Sequence, residues 1–346
     1  MQLGKTSHQT QRRTFLAIVA AVLLVVLSGC SSNSSHGKNH DATNQLTRVQ
    51  KDGASTVNAI LSLNRPVVLA HAAGEDIAPH STLYGFAQSV EYGVDVLDLD
   101  IQRTSDQFLV VQHDDTTKRT TEKDLKVNNV DYATLRSLDN GYWWSSTCRN
   151  TCTGKPESDY SFRGIRTGQK PPPEGYTAED FAIPKFSEVA ERWPGFVLNI
   201  EIKGTAPDAF TTARLLADEI ARLGIEDRVV VTSFDDQVVN EFHRLSPKVR
   251  MSPGVNVLTA YVLQGAVIQP WLNILQVPPS YQGTAVFNQA FAQKAKQSGY
   301  YTWVWPNGEG ETVAGYTDLF RQGADGVNAS DPQAGVEALS NYLETR

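Results

Sequence analysis

Short apolar stretches alternate with helical patterns along the chain from residue 66 onward. The apolar stretches are rich in valine, isoleucine and leucine, as in the buried strands of a parallel sheet. In chain order they are VVLAH, VLDLDI, FVLNIEI, RVVVTSF, KVRMS, ILQVP, YTWVW and DGVNA. Amphipathic helical spacing is clearest in residues 82–92, 207–223, 237–245, 288–298 and 312–322.

Eight strand and helix units of this kind predict an α/β fold, a (β/α)8 TIM barrel, over residues 61–346. An open, doubly wound sheet is the alternative. That fold would need a glycine-rich phosphate loop after the first strand, and the sequence has none there.

Residues 140–180 interrupt the alternation. They contain no apolar stretch of strand length, three consecutive prolines, and the pair Cys148 and Cys152. We predict an inserted irregular subdomain, either a lid over the barrel mouth or a surface excursion. In an oxidising compartment a disulfide between the two cysteines is favoured, with a two-cysteine metal site as the weaker alternative.

The first thirty residues have the pattern of an export signal. Arg12 and Arg13 precede thirteen apolar residues, Phe15–Leu27, which are fewer than the roughly 20 needed to span a bilayer. The following LSGC resembles the bacterial lipobox, which implies cleavage after residue 29 and diacylation of Cys30. A plain signal peptide or an uncleaved anchor is the alternative, and the arginine pair leaves both the general and the twin-arginine export routes open.

The charge and composition of the chain limit the classes of molecule that it could bind. Residues 31–50 are polar, and we predict a flexible, lipidated tether over 30–60 that holds the domain at the membrane through Cys30. The prediction is an exported lipoprotein of the bacterial cell membrane that faces away from the cytoplasm. The whole chain has a formal charge of −7, and this acidic balance argues against a nucleic-acid partner.

Polar residues gather at the ends of the predicted strands, where TIM barrels carry their active sites. They are His71 after the first strand, Asp98 and Asp100 in the second, His113 and Asp114 after the extended run QFLVV, and Glu201 and Lys203 in the third. Each has a simpler explanation: a hydrogen-bonded structural histidine, a solvated loop, or a surface ion pair. Their coincidence at one end of one barrel favours a site.

The residue types indicate a reaction class. Asp98, Asp100 and Glu201 would form a hard oxygen site for Ca²⁺ or Mg²⁺. Two histidines would act as general acid and general base near neutral pH, and Lys203 would neutralise an anionic oxygen. With no serine or cysteine nucleophile evident, this combination suits the hydrolysis of a phosphate ester.

Between about residues 66 and 332 the chain resembles the glycerophosphodiester phosphodiesterase family. The matching positions, in the order and spacing of the family motifs, are His71 and Gly74, Pro79 and Thr82, Asp98 and Asp100, Thr104 and Asp106, His113 and Asp114, Arg119 to Thr121, Glu201 and Lys203, Ser233 and Phe234, Gly323 to Gly326, and Asp331 and Pro332.

The resemblance implies that His71 and His113 are the catalytic pair and that Asp98, Asp100 and Glu201 hold the metal. It also implies that the Lys203 ammonium contacts phosphate. The implied substrate is a small glycerophosphodiester, cleaved to sn-glycerol 3-phosphate and an alcohol.

Three positions depart from the family pattern. Ala72 stands where the family has an arginine, and Asp98 where it has a glutamate. The family's Pro-Glu-Asn-Thr appears as PHST, which puts His80 at the acidic position. A protonated His80 would replace the missing arginine as a phosphate ligand; otherwise it is a residue of a surface loop.

Trp303 and Trp305 share one face of the seventh predicted strand. Trp305, nearer the strand end, is predicted to pack against the glycerol or to cradle a choline-like ammonium, while core packing explains Trp303.

Two other functions remain open. One is a phospholipase D-like activity on lysophospholipid or sphingolipid head groups, and the other is a non-catalytic ligand-binding lipoprotein of the same fold.

Overall fold

The computed structural model describes residues 54–306, 308 and 310–346. The predicted signal peptide, Cys30 and most of the predicted tether lie outside these residues. The last part of the tether does not, because Val57–Leu61 form a helix whose Val57 and Ile60 are buried beneath the barrel. The folded domain therefore begins before residue 61.

The strands and helices are numbered in chain order. The strands are β1 (Val67–Ala70), β2 (Val96–Arg103), β3 (Leu109–Val111), β4 (Trp144–Ser145), β5 (Asn150–Thr151), β6 (Val197–Ile202), β7 (Val229–Thr232), β8 (Arg250–Met251), β9 (Ile274–Val277), β10 (Ser280–Tyr281), β11 (Thr284–Ala285), β12 (Tyr301–Val304) and β13 (Gly326–Ala329). The helices are α1 (Val57–Leu61), α2 (Leu83–Tyr92), α3 (Tyr132–Arg136), α4 (Phe186–Arg192), α5 (Ala209–Leu223), α6 (Asp236–Leu245), α7 (Val255–Gln264), α8 (Gln289–Gln297), α9 (Val313–Gln322) and α10 (Pro332–Glu344).

Among the described residues, eight parallel strands lie side by side in the order β8, β7, β6, β2, β1, β13, β12, β9. The predicted (β/α)8 barrel is confirmed, in a nearly closed form. Each of its strands corresponds to one predicted apolar stretch. The run QFLVV is not a barrel strand: it forms β3, which pairs antiparallel with β2 as a hairpin.

The five predicted helices are present as α2, α5, α6, α8 and α9. Three of them begin one residue later than predicted, after Thr82, Asn288 and Thr312. Each of these residues is the helix N-cap, whose side chain accepts a hydrogen bond from a backbone N–H in the first turn.

The barrel interior changes from apolar to polar along the strands. Its lower layer consists of Val67, Leu69, Val96, Val197, Val230, Ile274 and Trp303, closed from below by α1. The next inward positions toward the carboxyl ends are Asp98, Asp100, Asn199, Glu201, Gln276 and Asn328. Because inward positions recur every second residue, one sealed apolar layer supports a polar layer that opens at the barrel mouth.

The insertion at residues 140–180 is irregular, as predicted, apart from the two-residue strands β4 and β5 and single helical turns. The predicted disulfide joins Cys148 and Cys152, whose Cα atoms are 6.6 Å apart. Within the described chain, every helix is too short or too polar to cross a membrane.

The packing of Trp303 in the lower layer predicts a specific effect at Gly326. A Cβ atom at Gly326 would lie 2.7 Å from Trp303 Cδ1 and 3.0 Å from Val67 Cγ2. We expect Gly326→Ala to lower the free energy of unfolding by about 1–3 kcal/mol through overpacking. Urea unfolding measures this effect.

Gly195→Ala is the matched control, because a Cβ atom there meets no heavy atom of the described chain within 4 Å. Its expected effect is under about 1 kcal/mol. Equal stabilities of the two variants would contradict the packing described for Trp303.

Candidate active site

Three carboxylates, two of them buried and the third, Glu201, partly buried, lie at the carboxyl end of the barrel interior. Asp98 of β2 is in register with Asn199 of β6, and Asp100 is in register with Glu201. Because alternate residues of a strand face the same side, all four side chains point inward. Asp98 and Asp100 are only 8% and 5% exposed. The structure thus brings the three predicted metal ligands to one end of the barrel.

Lys203 provides the counter-charge for two of these carboxylates. Its Nζ lies 2.8 Å from Asp100 Oδ1 and 2.9 Å from Glu201 Oε1. Burial alone would raise the pKa of Asp100, but the Lys203 ammonium lowers it to about 2. Burial raises the pKa of Glu201, and the Asp100 charge adds to this despite Lys203. The ammonium predicted to contact phosphate is therefore bound by carboxylates in this structure.

Asp98 is held by neutral donors. Asn199 Nδ2 donates to Asp98 Oδ1 at 2.5 Å, and the backbone N–H of Ala72 donates to Oδ2 at 3.4 Å. Asn199 is fixed in turn by two hydrogen bonds to Gln276, of 3.0 and 2.8 Å. Burial raises the pKa of Asp98, and the Asp100 charge raises it further against the opposing effect of His71.

The donor chemistry of these carboxylates fits a hard divalent cation such as Ca²⁺ or Mg²⁺. Their crowding in a buried layer makes an additional positive charge favourable. No three His, Cys, Asp or Glu side chains in the described part of the chain surround a common point as ligands would. Since Lys203 lies between Asp100 and Glu201, a cation that bridged those two residues would require the ammonium to turn away.

His71 directly follows β1 and is held at one ring nitrogen. Its Nδ1 lies 3.1 Å from Ser330 Oγ and 3.2 Å from Glu75 Oε1. Burial would lower the pKa of His71, but the hydrogen bond to Glu75 and the charges of Glu75, Asp98 and Asp100 outweigh it and raise the pKa to about 10. The contact with Glu75 and these charges therefore favour the protonated ring.

His80 is completely buried. Its Nε2 lies 3.3 Å from Arg119 Nη2 and 4.0 Å from Glu75 Oε2, and Nδ1 has no hydrogen-bond partner in the described chain. Burial lowers the pKa of His80, and the neighbouring Arg119 lowers it further, to about 3. A neutral, buried His80 differs from both alternatives given by the sequence, a protonated phosphate ligand and a surface loop residue.

His113 follows the β3 hairpin strand and is partly exposed. Its Nδ1 lies 2.6 Å from Asp114 Oδ1. The turn that carries it is anchored by Gln102 of β2, whose amide donates to the backbone carbonyls of Gln112 and His113, each at 3.3 Å, and to that of Asp114. The hairpin therefore brings His113 to the barrel mouth although β3 is not a barrel strand.

Arg119 connects the two histidine groups. Its Nε and Nη2 donate to the two carboxylate oxygens of Asp114 at 2.8 and 3.2 Å. Its Nη1 lies 3.8 Å from Glu75 Oε2. With the contact to His80, one guanidinium ties the Asp114–His113 pair to the loop that carries His71.

The insertion packs against the same loop. Trp144 Nε1 donates to the backbone carbonyl of Glu75 at 2.8 Å, and Asn140 Nδ2 donates to that of His80 at 3.0 Å. Arg149, between the disulfide cysteines, pairs with Asp76 and Asp331. The insertion therefore supports the loop after β1 at the barrel mouth.

Trp303 in β12 and Trp305 directly after it occupy different environments. Trp303 is 1% exposed and belongs to the lower apolar layer. Trp305 is half-buried and lies 6.2 Å, ring centre to ring centre, from Phe234, which is 53% exposed. An aromatic pair therefore lies at the mouth, and Trp305 remains the predicted substrate-contacting tryptophan.

Sequence patterns missed several members of this site, above all Glu75. The turn after β1 contains three successive residues with positive φ, Ala72 (46°), Ala73 (70°) and Gly74 (78°). This turn brings the chain back so that Glu75 faces His71. A left-handed conformation at two alanines is not visible in a hydrophobic pattern. In the sequence, only the position of Glu75, four residues after the strand-end His71, could have indicated a contact between them.

Comparison with known proteins identifies relatives of the whole barrel. The model of the glycerophosphoryl diester phosphodiesterase family matches residues 71–332. A glycerophosphodiester phosphodiesterase of Caldanaerobacter subterraneus is 24% identical over 273 residues, 78% of this chain and 96% of that protein. A human lysophospholipase D is 27% identical over 139 residues, 39% of this chain and 35% of that protein.

Solved structures of low sequence identity share the fold. A phosphodiesterase of Oleispira antarctica, in complex with the product sn-glycerol-3-phosphate, superposes with a TM-score of 0.59 at 20% identity, covering 79% of this chain and 96% of that one. A glycerophosphodiester phosphodiesterase of Agrobacterium tumefaciens gives 0.58 at 18% identity, with coverages of 78% and 99%.

The buried, neutral His80 predicts how stability depends on pH. Between its folded pKa of about 3 and its ordinary value of 6.5, the unfolded chain binds a proton at this residue that the folded chain excludes. Acidification through this range therefore costs about 1.4 kcal/mol per pH unit from His80. We expect His80→Gln to remove this contribution and flatten the pH dependence, as measured by urea unfolding from pH 7 to pH 4.

His243→Gln is the control, because His243 is less buried and stacks on Trp271, away from the carboxylates. An unchanged slope in His80→Gln would contradict a neutral His80.

Proposed function

The chain belongs to the glycerophosphoryl diester phosphodiesterase family, whose members are phosphoric diester hydrolases, and from that premise we propose that it hydrolyses glycerophosphodiesters. The products would be sn-glycerol 3-phosphate and an alcohol. The complex of the Oleispira antarctica relative with sn-glycerol-3-phosphate supports this choice of product.

One observation carries the mechanism: two imidazoles lie near the cluster of Asp98, Asp100 and Glu201, and a different carboxylate contacts each imidazole at Nδ1. Glu75 holds His71, and Asp114 holds His113. This leaves both Nε2 atoms available to substrate. His71 interacts electrostatically with Asp98 and Asp100, and His113 with Asp100 and Glu201, so both rings lie near the same cluster.

In the proposed reaction a glycerol hydroxyl attacks phosphorus and the bond to the alcohol breaks. One imidazole accepts the proton of the attacking hydroxyl, and the other donates a proton to the departing alcohol. Water then opens the resulting cyclic phosphate with the two roles reversed. Lys203, released from the carboxylates, would orient a phosphate oxygen.

We further propose that Asp98, Asp100 and Glu201 hold a divalent cation, Ca²⁺ or Mg²⁺. The support is their hard oxygen chemistry and their need for positive charge in a buried layer. Such an ion would stabilise negative charge on the phosphate oxygens. The shorter Asp98, in place of the family's glutamate, would have to approach the ion more closely.

A lysophospholipid head group is the alternative substrate. Phe234 and Trp305 form an aromatic rim beside the site, and more than half of the Phe234 surface is exposed. Such a rim could accept an acyl chain, and one relative is a human lysophospholipase D. Product analysis separates the two activities, since the phospholipase D-like alternative releases cyclic phosphate and tolerates an acyl chain.

Hydrolysis of glycerophosphocholine by residues 54–346 tests the mechanism. We expect His71→Ala and His113→Ala each to lower kcat by about 10²–10⁴-fold, because each removes one proton-transfer group. We expect EDTA to abolish activity and Ca²⁺ or Mg²⁺ to restore it. Release of choline and of glycerol 3-phosphate are the two readouts.

His243→Ala is the control, because His243 lies on the outer helix α6. Full activity in either catalytic variant would contradict the two-histidine mechanism, and activity indifferent to EDTA would contradict the metal. Ligand binding without turnover would instead favour a non-catalytic binding lipoprotein.

We also propose that the protein is exported and anchored to the bacterial cell membrane through a diacylated Cys30. The N-terminal sequence and the Cys148–Cys152 disulfide, which suits an oxidising compartment, support this. In a bacterium that expresses the full chain, we expect the wild type in the membrane fraction and Cys30→Ala to lose that association. Equal membrane association of the two would contradict the lipid anchor.

A further inference from the structure

Glu75 is the acidic residue closest to His71, and it belongs to none of the motifs from which the function was inferred. Its side chain is 13% exposed and faces two histidines and one arginine. Oε1 lies 3.2 Å from His71 Nδ1, and Oε2 lies 4.0 Å from His80 Nε2.

The Glu75 backbone is fixed as firmly as its side chain. Its N–H donates to the His71 carbonyl at 3.4 Å, across the left-handed turn at Ala72 and Ala73. Its own carbonyl accepts the hydrogen bond from Trp144 of the insertion. The carboxylate is thereby held against the imidazole from both sides of the loop.

We propose that Glu75 is the positioning residue of His71. It fixes the ring through Nδ1, so that Nε2 carries the proton delivered to the leaving alcohol while His113 accepts the proton of the attacking hydroxyl. This role deepens the proposed function and rests on it. It assigns the acid and the base, which the two-histidine pattern alone leaves interchangeable.

The hydrogen-bond partners of His71 favour the doubly protonated ring. Ser330 Oγ, 3.1 Å from Nδ1, donates its own hydrogen to Glu311 Oε1 at 3.2 Å, so it faces His71 as an acceptor. Glu75 is the second acceptor at the same nitrogen. Two acceptors at Nδ1 require a hydrogen there, and the adjacent Glu75 carboxylate stabilises the positive charge that a second hydrogen at Nε2 creates.

The pair formed by His113 and Asp114 looks similar but differs in charge. Two hydrogen bonds from Arg119, of 2.8 and 3.2 Å, neutralise the Asp114 carboxylate. Glu75 approaches the same guanidinium only at 3.8 Å, and its other neighbour, His80, is neutral. Glu75 therefore stabilises an imidazolium more strongly than Asp114 does, which makes His71 the donor and His113 the acceptor.

With His71 as the acid and His113 as the base, every proton that is transferred in the two steps has a donor and an acceptor. In the first step the glycerol hydroxyl loses its proton to His113, its oxygen bonds to phosphorus, and the departing alcohol takes the proton of His71 Nε2. In the second step a water molecule loses a proton to neutral His71 and bonds to phosphorus. The ring oxygen then leaves with the proton from His113, and both histidines return to their starting states.

Two substrates test the role. One is glycerophosphocholine, whose leaving alcohol needs a proton, and the other is the p-nitrophenyl ester of glycerol phosphate, whose phenolate leaves without one. We expect Glu75→Gln to lower kcat on glycerophosphocholine by about 100-fold with KM nearly unchanged. On the p-nitrophenyl ester we expect the loss to shrink to less than about 10-fold. His113→Ala should be equally impaired on both.

Glu75→Asp retains the charge and should recover part of the kcat, while the exposed Glu174→Gln is the matched control at the parent rate. Thermal unfolding identifies any variant that fails to fold. If Glu75→Gln does not fold, the kcat losses of Glu75→Asp on the two substrates are compared instead. Parent kcat in Glu75→Gln, or an equal loss on both substrates, would overturn the role. If the unsubstituted protein hydrolyses neither ester, the proposed function itself fails.

Discussion

Three carboxylates clustered in one layer of a barrel interior, two of them buried, are the constraint on which the rest of the site depends. Asp98, Asp100 and Glu201 lie above a sealed apolar layer, where the cost of unpaired negative charge is high. Each nearby polar group can be understood as compensation for that charge. Lys203 bridges two of the carboxylates, Asn199 donates to the third, and the same charges favour a protonated His71.

The strand pattern made this part of the site predictable. Inward positions recur every second residue, and the carboxyl ends of parallel strands meet at one edge, so DLD on β2 and NIE on β6 had to converge if the barrel formed. The same period separates Trp303, which fills the lower layer, from Trp305, which reaches the mouth. The regular alternation of the strands thus made both the fold and the carboxylate cluster predictable from the sequence.

The irregular segments were not predictable from the same pattern. The turn after β1 places Ala72 and Ala73 in the left-handed region ahead of Gly74, and a hydrophobic pattern does not show that alanines adopt it, so the return of the chain that brings Glu75 to His71 was not predicted. The contacts of Arg119 join Glu75 and His80 of the first loop, Asp114 after the β3 hairpin, and Thr151 of the insertion, whose Oγ1 accepts a hydrogen bond from Nη1 at 3.5 Å. The spacing of these residues in sequence has no period. Likewise, His80 could be placed in the loop, but its burial depends on the insertion packing against it.

These unpredicted contacts give the departures at Ala72 and His80 a common physical meaning. Relative to the family pattern, Ala72 lacks the positive charge of an arginine, and His80 lacks the negative charge of a glutamate. Glu75 restores the negative charge at another position in the loop, in contact with His71. A carboxylate there raises the pKa of His71 and so favours a positive charge on the ring, at the residue next to the position where the arginine is missing. The loop after β1 therefore combines one carboxylate, Glu75, with the imidazole of His71 and the guanidinium of Arg119, and the charges near His71 balance without an arginine at position 72.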